Sequence, residues 1–352
     1  MSRMLEEIRD QPRALSQTLE NISRSAAELR AHFEKHRPRL IVLAARGTSD
    51  NAAQFGRYLI EITTRIPVSL AAPSILTLYA SSVDLSEVAV IGISQSGEST
   101  DTNAVMEDAR KRGATTIGIT NDASSALGGI VEFPLPMEAG NEISVAATKT
   151  YTCQLLGLYL VAYALNGGIE LDQLRKVPDW VQSTLDLEED IESLVERYFF
   201  MSRAVTVGRG LNFANALEFG LKLMETCYVV AERFSAADLM HGPIALVERS
   251  FPVFVFAPSG VTWRSISSVL DRLQELKAET LVVTDSRNSE AHDKAARLIQ
   301  IPEAVGAGSM PEDLYTPIPY IVPAQLFAGH LAAIKGLNPD LPRTLHKITR
   351  TM

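Results

Sequence analysis

Residues 88–112 read VAVIGISQSGESTDTNAVMEDARKR, and this stretch contains one complete structural unit. An apolar run from Val88 to Ile93 comes first, a turn rich in serine follows, and a polar stretch of helical composition extends from about Asp101 to Arg112. The run does not alternate between apolar and polar residues, which is typical of a parallel strand that is buried on both faces. A strand, a small polar turn and a helix in this order predict an α/β unit.

The same order occurs on both sides of this stretch. The apolar run from Leu40 to Ala45 precedes the small residues Gly47-Thr-Ser49, and a helical pattern from Asn51 to Ile62 comes next. Thr115 to Ile119 is a third run of the same kind. Three such strands, with helices between them, predict an open parallel sheet in the first half of the chain.

The second half of the chain repeats the pattern of the first. Its strand-like runs are Ala204 to Val207, Val253 to Ala257 and Thr280 to Val283. Landmarks after matching strands keep one spacing: 163 positions from Arg46 to Arg209, 163 from Gly97 to Gly260, and 164 from Thr120 to Thr284. A shared offset in the same order indicates an internal duplication.

These patterns predict an α/β fold of two tandem, doubly wound parallel-sheet domains of flavodoxin-like type. We expect N-terminal helices over residues 1–37, a first domain over 38–175, a second over 190–335, and a C-terminal tail over 336–352. Pro38 ends the helical spacing of apolar residues in the N-terminal segment. The polar segment from Leu171 to Asp190 separates the two domains.

Composition limits the classes of partner. The net charge is −9 and the sequence pI is about 5.3, which argues against nucleic-acid binding because a phosphate backbone normally requires a basic face. A small phosphate ligand remains compatible, since backbone N–H groups and hydroxyls can hold it.

The sequence predicts a cytoplasmic protein without a membrane segment. Cys153 and Cys227 are the only cysteines, too few for a disulfide framework and without CxxC spacing. The N-terminus has no apolar signal-peptide region, and no run of 18 apolar residues occurs. His32 and His36 are the one close histidine pair, and two ligands ahead of the first domain do not make a metal site. Neither a metal nor a cofactor is expected.

The serine-rich turn is a candidate phosphate site. It lies where ligands bind in open parallel sheets, at the carboxyl end of a strand and before a helix N-terminus. Ser94, Ser96 and Ser99 add hydroxyls, and Gly47-Thr-Ser49 follows a neighbouring strand. The alternative is that such turns only cap their helices. The chain has no Walker A motif and no GxGxxG, so a nucleotide cofactor is not indicated.

The stretch ISQSGES with its polar helix resembles the phosphosugar-binding signature of sugar-isomerase (SIS) domains. The resemblance extends over nearly the whole chain beyond the N-terminal helices. It implies a parallel-sheet fold, tandem copies and a sugar-phosphate ligand. It also implies that the sugar and its phosphate are held by Gly47, Thr48, Ser49, Ser94, Gln95, Ser96 and Ser99.

A second candidate site follows Arg209, the first landmark of the second half. Glu218, Lys222 and Glu225 stand at i, i+4 and i+7 of one predicted helix, which we expect to run from about Asn212 to Val230 and to continue as a buried segment. By spacing alone, these charges could equally form a solvated, salt-bridged helix face. His241 precedes Gly-Pro and could be no more than a turn residue.

The stretch ALEFGLKLMETCYVVAERFSAADLMHGPIAL is similar to the isomerase half of the glutamine–fructose-6-phosphate aminotransferases, and the tail LPRTLHKITRTM resembles their closing segment. This resemblance implies that Glu225 moves a proton between C1 and C2 of the open-chain sugar. His241 would assist ring opening, across a subunit interface of a homodimer with shared active sites. Lys347 would contact the open-chain carbonyl, and Lys222 and Glu218 would support Glu225.

The chain departs from that family in three ways. It starts Met1-Ser2 and is too short for the N-terminal glutaminase domain, so we expect no ammonia release from glutamine by that route. Arg46 stands where a cysteine is usual. Ala147 stands where a substrate-contacting serine is usual, which puts the contact at position 147 in question. The stretches ARGTSDNA and EISVAATK resemble stand-alone glucosamine-6-phosphate deaminases of the SIS type more closely.

The leading hypothesis is therefore an enzyme that converts glucosamine 6-phosphate to fructose 6-phosphate and ammonia through a 1,2 proton shift. Three alternatives remain: an aminotransferase-type synthesis that uses free ammonia or a separate glutaminase, a fructosamine-phosphate deglycase, and a non-catalytic sugar-phosphate-binding regulator. A regulator would need only the serine turn, whereas the chain also carries the candidate base, acid and lysine.

Overall fold

The computed structural model describes residues 2–81, 83–304, 310–345 and 347. Within these residues the chain divides into two compact units. The first unit comprises residues 13–142 and 149–175 with Lys347, and the second comprises the N-terminal residues up to Pro12, residues 143–148 and residues 176–345.

The first unit is built on a parallel sheet with the strand order β2-β1-β3-β4-β5. Its strands are β1 (Leu40–Ala44), β2 (Val68–Leu70), β3 (Val88–Ser94), β4 (Thr115–Thr120) and β5 (Phe133–Pro136). Its helices are most of α2 (Gln11–Phe33), then α3 (Thr48–Thr64), α4 (Ser74–Thr77), α5 (Thr100–Lys111), α6 (Ala126–Ile130), α7 (Lys149–Ala164) and α8 (Leu171–Leu174).

The core of the first unit explains why its strands read as unbroken apolar runs. All seven residues of β3 are buried, because helices cover both faces of the sheet. Helix α7 is buried on nearly its whole circumference, which matches its apolar composition from Leu155 onward. Its Tyr159 ring packs edge-on against Phe55 of α3 at 5.1 Å between centroids. These layers hold the carboxyl ends of β1 and β3 side by side.

The second unit repeats the same topology, with parallel strands in the order β7-β6-β8-β9-β10. Its strands are β6 (Arg203–Gly208), β7 (Val230–Ser235), β8 (Pro252–Phe256), β9 (Glu279–Asp285) and β10 (Arg297–Ile301). Its helices are α1 (Arg3–Arg9), α9 (Val177–Leu185), α10 (Glu188–Val195), α11 (Phe213–Cys227), α12 (Ala236–Met240), α13 (Trp263–Glu275), α14 (Ser289–Lys294) and α15 (Pro317–Ile334).

One face of the second sheet carries an aromatic cluster. Phe254 on β8 lies 5.0 Å from Phe219 on α11 and 5.1 Å from Phe327 on α15, centroid to centroid, in edge-to-face geometry. Edge-to-face ring pairs of this kind add to the stabilisation that comes from burial alone. The cluster fixes α11, the helix that carries the candidate base, against the sheet.

The fold prediction is confirmed. Two doubly wound parallel sheets are present, and each has the flavodoxin-like order 2-1-3-4-5 when its strands are numbered within its own unit. The identical order in both units is what the shared sequence offset indicates.

The predicted course of the helix that carries Glu225 is wrong at its C-terminal end. Helix α11 ends at Cys227, and Tyr228 adopts a left-handed backbone conformation with φ +53° that stops it. Residues from Val230 to Ser235 then form strand β7, and Val230 is 61% exposed. A short apolar run fits a strand as well as a helix, and pairing with β6 decides between them here.

Helix α15 is long and apolar enough, by length and composition, to cross a membrane. However, 89% of its apolar window is buried inside the structure. A buried core helix has the same composition, and the packing of α15 against α11 is of that kind.

Candidate functional site

The turn after β3 is shaped around its hydroxyls. The Ser94 hydroxyl accepts the Gly97 backbone N–H at 3.1 Å, and the Ser96 hydroxyl accepts the Glu98 N–H at 3.2 Å. A serine hydroxyl that accepts a bond still has its own proton to donate. Ser99 is the N-cap of α5, and its side chain makes no capping hydrogen bond. The capping alternative therefore does not account for Ser99.

Gly97 is required at its position by geometry. Its φ is +69°, and a Cβ atom there would lie 2.1 Å from the Ser125 hydroxyl oxygen. Its carbonyl accepts hydrogen bonds from the Leu127 N–H and the Asn103 side chain, so this oxygen is satisfied by the protein. An anion at this turn would therefore meet donors rather than this carbonyl.

The turn after β1 lies in the same unit. Thr48 begins α3 and is half-buried, and Gly47 precedes it with φ +57°. Ser49 is buried, and its hydroxyl accepts the Gln154 side-chain amide at 2.9 Å. Gln95, in the turn after β3, is half-buried.

An ion pair joins these two turns. Arg46, at the end of β1, donates from Nε at 3.1 Å and from Nη2 at 2.7 Å to one oxygen of Asp101, in the first turn of α5. The Asp101 side chain is only 9% exposed, whereas that of Arg46 is 49% exposed. Arg46 thus joins the β1 turn to the start of α5.

Lys347 is held by a buried carboxylate. Its Nζ lies 3.0 Å from Oε2 of Glu142, whose side chain is 0% exposed. The same carboxylate accepts the backbone N–H and the hydroxyl of Thr150 at 3.1 and 2.7 Å. Of the predicted tail, His346 and residues 348–352 lie outside the described residues.

In the second unit, Glu218, Lys222 and Glu225 form a continuous ion-paired array on α11. Lys222 Nζ lies 3.3 Å from Glu218 Oε1 and 2.6 Å from Glu225 Oε2. Glu218 and Lys222 are 0% exposed, whereas 24% of the Glu225 side chain is exposed. A solvated helix face, the alternative from spacing alone, is excluded by this burial.

The charge of this array is fixed by its own members. Burial by itself would lower the pKa of Lys222, but the charges of Glu218 and Glu225 outweigh burial and raise it above its usual range. Lys222 is therefore an ammonium ion at any physiological pH. With one lysine between two carboxylates, Glu225 is the member of the array that solvent can reach.

His241 lies directly after α12 and is exposed. Its Nδ1 donates to the carbonyl of Ala237 at 2.7 Å, because a carbonyl oxygen can only accept. In the neutral ring this bond leaves Nε2 as the proton-accepting nitrogen. Ala147 is half-buried in the segment 143–148 of the same unit, where Glu7 accepts the N–H groups of Ile143 and Ser144.

The structure thus collects the predicted residues in two groups, one in each unit. The serine turns and Lys347 belong to the first unit, and the Glu218–Lys222–Glu225 array, His241 and position 147 belong to the second. Sequence reasoning missed Glu142 and Gln154, which hold Lys347 and Ser49. Glu142 stands inside the stretch EISVAATK, but nothing in its spacing predicts a partner more than 200 residues away.

Comparisons with known proteins test the predicted family resemblance. The SIS domain model matches residues 34–164 and 201–335, more than half of the chain. The glutamine–fructose-6-phosphate aminotransferase (isomerizing) of Aquifex aeolicus is 35% identical over 352 residues, which cover 98% of this chain and 57% of that protein. The chain therefore spans little more than half the length of such curated relatives.

Two solved structures extend the comparison. The C-terminal domain of glucosamine-fructose-6-phosphate aminotransferase from Francisella tularensis gives a TM-score of 0.86 at 27% identity, covering 97% of this chain and 98% of that domain. Glucosamine-6-phosphate deaminase from Thermotoga maritima gives a TM-score of 0.74 at 22% identity, covering 95% of this chain and 100% of the other. The second likeness shows the fold alone.

Proposed function

The chain belongs to the SIS-domain family, and on that premise we propose that it is an enzyme that moves a proton between C1 and C2 of an open-chain amino sugar phosphate. One observation carries the proposal above all. The Glu225 carboxylate is accessible to solvent, and its Oε2 lies 2.6 Å from Nζ of Lys222, which is buried. A structural ion pair would not need a third, fully buried carboxylate behind it, whereas a positioned base benefits from a fixed partner.

The proposed step is balanced without any cofactor. The carboxylate of Glu225 takes the proton from C2 of the open-chain aldose amine, and the electron pair shifts onto the carbonyl oxygen at C1, which takes up a proton, so that an enolamine forms. Glu225 then returns its proton to C1 while the amino nitrogen releases one proton, which leaves a ketose imine. Water adds to the imine carbon, and ammonia leaves, so the products are fructose 6-phosphate and ammonia.

Other residues take supporting roles in this proposal. Lys222 orients Glu225, and Glu218 offsets the charge of Lys222. His241 offers Nε2 for proton transfer during ring opening, because Nδ1 is committed to Ala237. Lys347, fixed by Glu142, supplies a positive charge for the open-chain oxygen.

The phosphate is assigned to the hydroxyls of the first unit. Ser94, Ser96 and Ser99 retain O–H protons at the start of α5, where the helix dipole favours an anion. Thr48 and Ser49 are further candidate donors from the turn after β1. The net charge of −9 does not oppose this assignment, since neutral donors bind phosphate without a basic surface.

A second candidate function is the same isomerisation run in the synthetic direction, from fructose 6-phosphate and ammonia to glucosamine 6-phosphate. The specific observation in its favour is the 35% identity to an aminotransferase over 98% of this chain. The deaminase assignment rests on local resemblance and on a neighbour that shares only the fold. Both functions would use the same residues, and they differ in whether ammonia is released or consumed.

The deciding experiment gives the purified protein glucosamine 6-phosphate and measures ammonia and fructose 6-phosphate. Parallel reactions start from fructose 6-phosphate with ammonium chloride, and from fructosamine 6-phosphate for the deglycase alternative. Glu225→Gln removes the base at constant shape, and we expect it to lower kcat by roughly 10²–10⁴-fold. Substrate binding by that variant should persist.

The outcomes separate the alternatives. Turnover of glucosamine 6-phosphate by the unchanged protein, and not by Glu225→Gln, supports the deaminase. Turnover only in the reaction of fructose 6-phosphate with ammonium chloride supports the synthetic enzyme. Binding of phosphosugars without any turnover would refute the enzyme proposal in favour of a regulator. Equal activity of Glu225→Gln and the unchanged protein would remove Glu225 from the base role.

We further propose a homodimer in a reducing, cytoplasmic compartment. Both cysteines are buried free thiols, as expected where disulfides do not form. A dimer with shared sites predicts specific activity that falls on dilution below the dissociation constant. Constant activity per chain over that range, with monomers seen by sedimentation, would contradict shared sites.

A further inference from the structure

The second unit contains a buried carboxylate that is held like a bound anion. Asp285, the last residue of β9, is 1% exposed. Its Oδ2 accepts the Ser259 backbone N–H at 2.9 Å and the Tyr320 hydroxyl at 2.8 Å. Its Oδ1 accepts the Ser259 hydroxyl at 2.8 Å and the Arg287 N–H at 3.1 Å. The Arg287 guanidinium adds a charge contact at 3.4 Å.

This donor set is of the kind that holds a phosphate. It consists of two backbone N–H groups, two hydroxyls and one guanidinium. The N–H groups and hydroxyls bond to Asp285, whereas the guanidinium is shared with Glu312 at 3.3 Å and Glu303 at 3.9 Å. Burial by itself would raise the pKa of Asp285, but the hydrogen bonds from Ser259, Tyr320 and Arg287 outweigh burial and lower the pKa below its usual range. The group in this position is therefore an anion.

The place of Asp285 in its sheet corresponds to the candidate phosphate turn of the first unit. Both sheets have the same strand order, so β8 and β9 correspond to β3 and β4. Ser259 follows Ser96 by 163 positions, in the turn after the matching strand, and Asp285 follows Asn121 by 164. The donors from Ser259 thus belong to the second copy of the serine turn.

The first unit has a neutral residue at the matching position, and its side chain is used differently. The Asn121 amide nitrogen donates to the carbonyl of Gly140 at 3.0 Å, and its oxygen accepts the Ala139 N–H at 2.8 Å. Both bonds go to the segment after β5, and none of the hydrogen bonds found for this side chain goes to the serine turn. The turn of the first unit therefore receives no carboxylate from this position.

We propose that Asp285 is a built-in anion that fills the second unit's copy of the phosphate turn, and that the residue at this position, where the fourth strand of each sheet ends, decides whether its copy stays open to an external anion. The part of this inference that concerns the first unit rests on the proposed function. The part that concerns the second unit does not, because it predicts anion binding and not turnover. A duplicated fold thereby keeps one external phosphate site per chain.

The test of the second unit is removal of the internal anion. In Asp285→Ala the donors from Ser259, Tyr320 and Arg287 lose their acceptor, and inorganic phosphate should replace it. Trp180 and Trp263 both lie in the second unit, so tryptophan fluorescence during urea unfolding reports on that unit. We expect Asp285→Ala to unfold at lower urea, and its midpoint to rise with phosphate concentration more steeply than that of the unchanged protein.

Sodium chloride at matched ionic strength is the control for screening. If phosphate shifts the midpoints of Asp285→Ala and the unchanged protein equally, the second turn is not a latent anion site and the proposal is wrong. Should Asp285→Ala fail to fold, Asp285→Ser removes the charge and keeps a small polar group. The phosphate dependence of the urea midpoint of Asp285→Ser is then compared with that of the unchanged protein.

The reverse experiment places a carboxylate in the first unit. Asn121→Asp should weaken phosphosugar binding by roughly tenfold or more, because the new charge competes with and repels the ligand phosphate. Asn121→Ala is the matched control, since it loses the same amide bonds without adding charge. Equal affinity of the two variants would overturn the role of this position. A protein that binds phosphosugar but turns none over would refute the proposed function and leave this comparison intact.

Discussion

Replacing Lys222 by methionine tests whether the array on α11 is a coupled, buried charge system. Methionine is linear and similar in length, so the change removes the charge with little change in packing. It leaves Glu218, which is 0% exposed, without the partner that now lies 3.3 Å away. Glu225 loses its 2.6 Å contact in the same step. Removing one partner of a buried ion pair costs about 3–5 kcal/mol of the free energy of unfolding.

The destabilisation caused by Lys222→Met should depend on pH, and the direction follows from the charges of the array. The pKa of Lys222 is raised by its two carboxylates, so its contribution to stability is fully present below its ordinary pKa of 10.5 and is lost only as pH rises through the higher folded value. The unchanged protein should thus show no titration of this lysine between pH 5 and 9. In Lys222→Met the uncompensated carboxylates are relieved by protonation, so the destabilisation should be smaller at pH 5 than at pH 8.

The assay is urea unfolding followed by tryptophan fluorescence, which reports on the unit that contains Lys222. The matched control is the double variant Lys222→Met, Glu218→Gln, in which the buried charge is removed together with its partner. It should recover a large part of the lost stability, because the cost arises from a buried carboxylate that has lost its lysine. A loss below about 1 kcal/mol in Lys222→Met, or a double variant no more stable than the single one, would refute this reasoning.

Three further predictions follow from separate contacts. Ser96→Ala should raise KM for the phosphosugar and leave kcat nearly unchanged, which steady-state kinetics would show; a fall in kcat alone would contradict a binding role. Asp285→Asn should flatten the loss of stability below pH 4 in acid titrations, because the lowered pKa of Asp285 gives stability that disappears as the carboxylate is protonated; an unchanged acid limb would contradict this. Asp340 accepts the N–H groups of Arg3 and Met4 at the start of α1, so Asp340→Ala should cost about 1 kcal/mol and speed amide exchange in α1, and unaltered exchange there would show that the cap is dispensable.

The sequence determined the class of fold because its signals are local. Unbroken apolar runs such as Val88 to Ile93, each followed by a small polar turn, require strands buried on both faces, and a shared offset of about 163 positions requires the unit to occur twice. The spacing of Glu218, Lys222 and Glu225 likewise determined that they share a helix face, since 3.6 residues per turn is a property of the backbone.

Tertiary structure decided what depends on neighbours distant in the chain. Spacing alone could not distinguish a solvated helix face from a buried array, and the packing of α11 between its sheet and α15 made Lys222 inaccessible. The helix predicted to reach Val230 ends at Cys227, because pairing with β6 draws the next apolar residues into a strand. The partnership of Glu142 with Lys347 joins residues 205 positions apart. Local periodicity determines which element forms, whereas burial and charge pairing are decided only when the folded chain brings distant groups together.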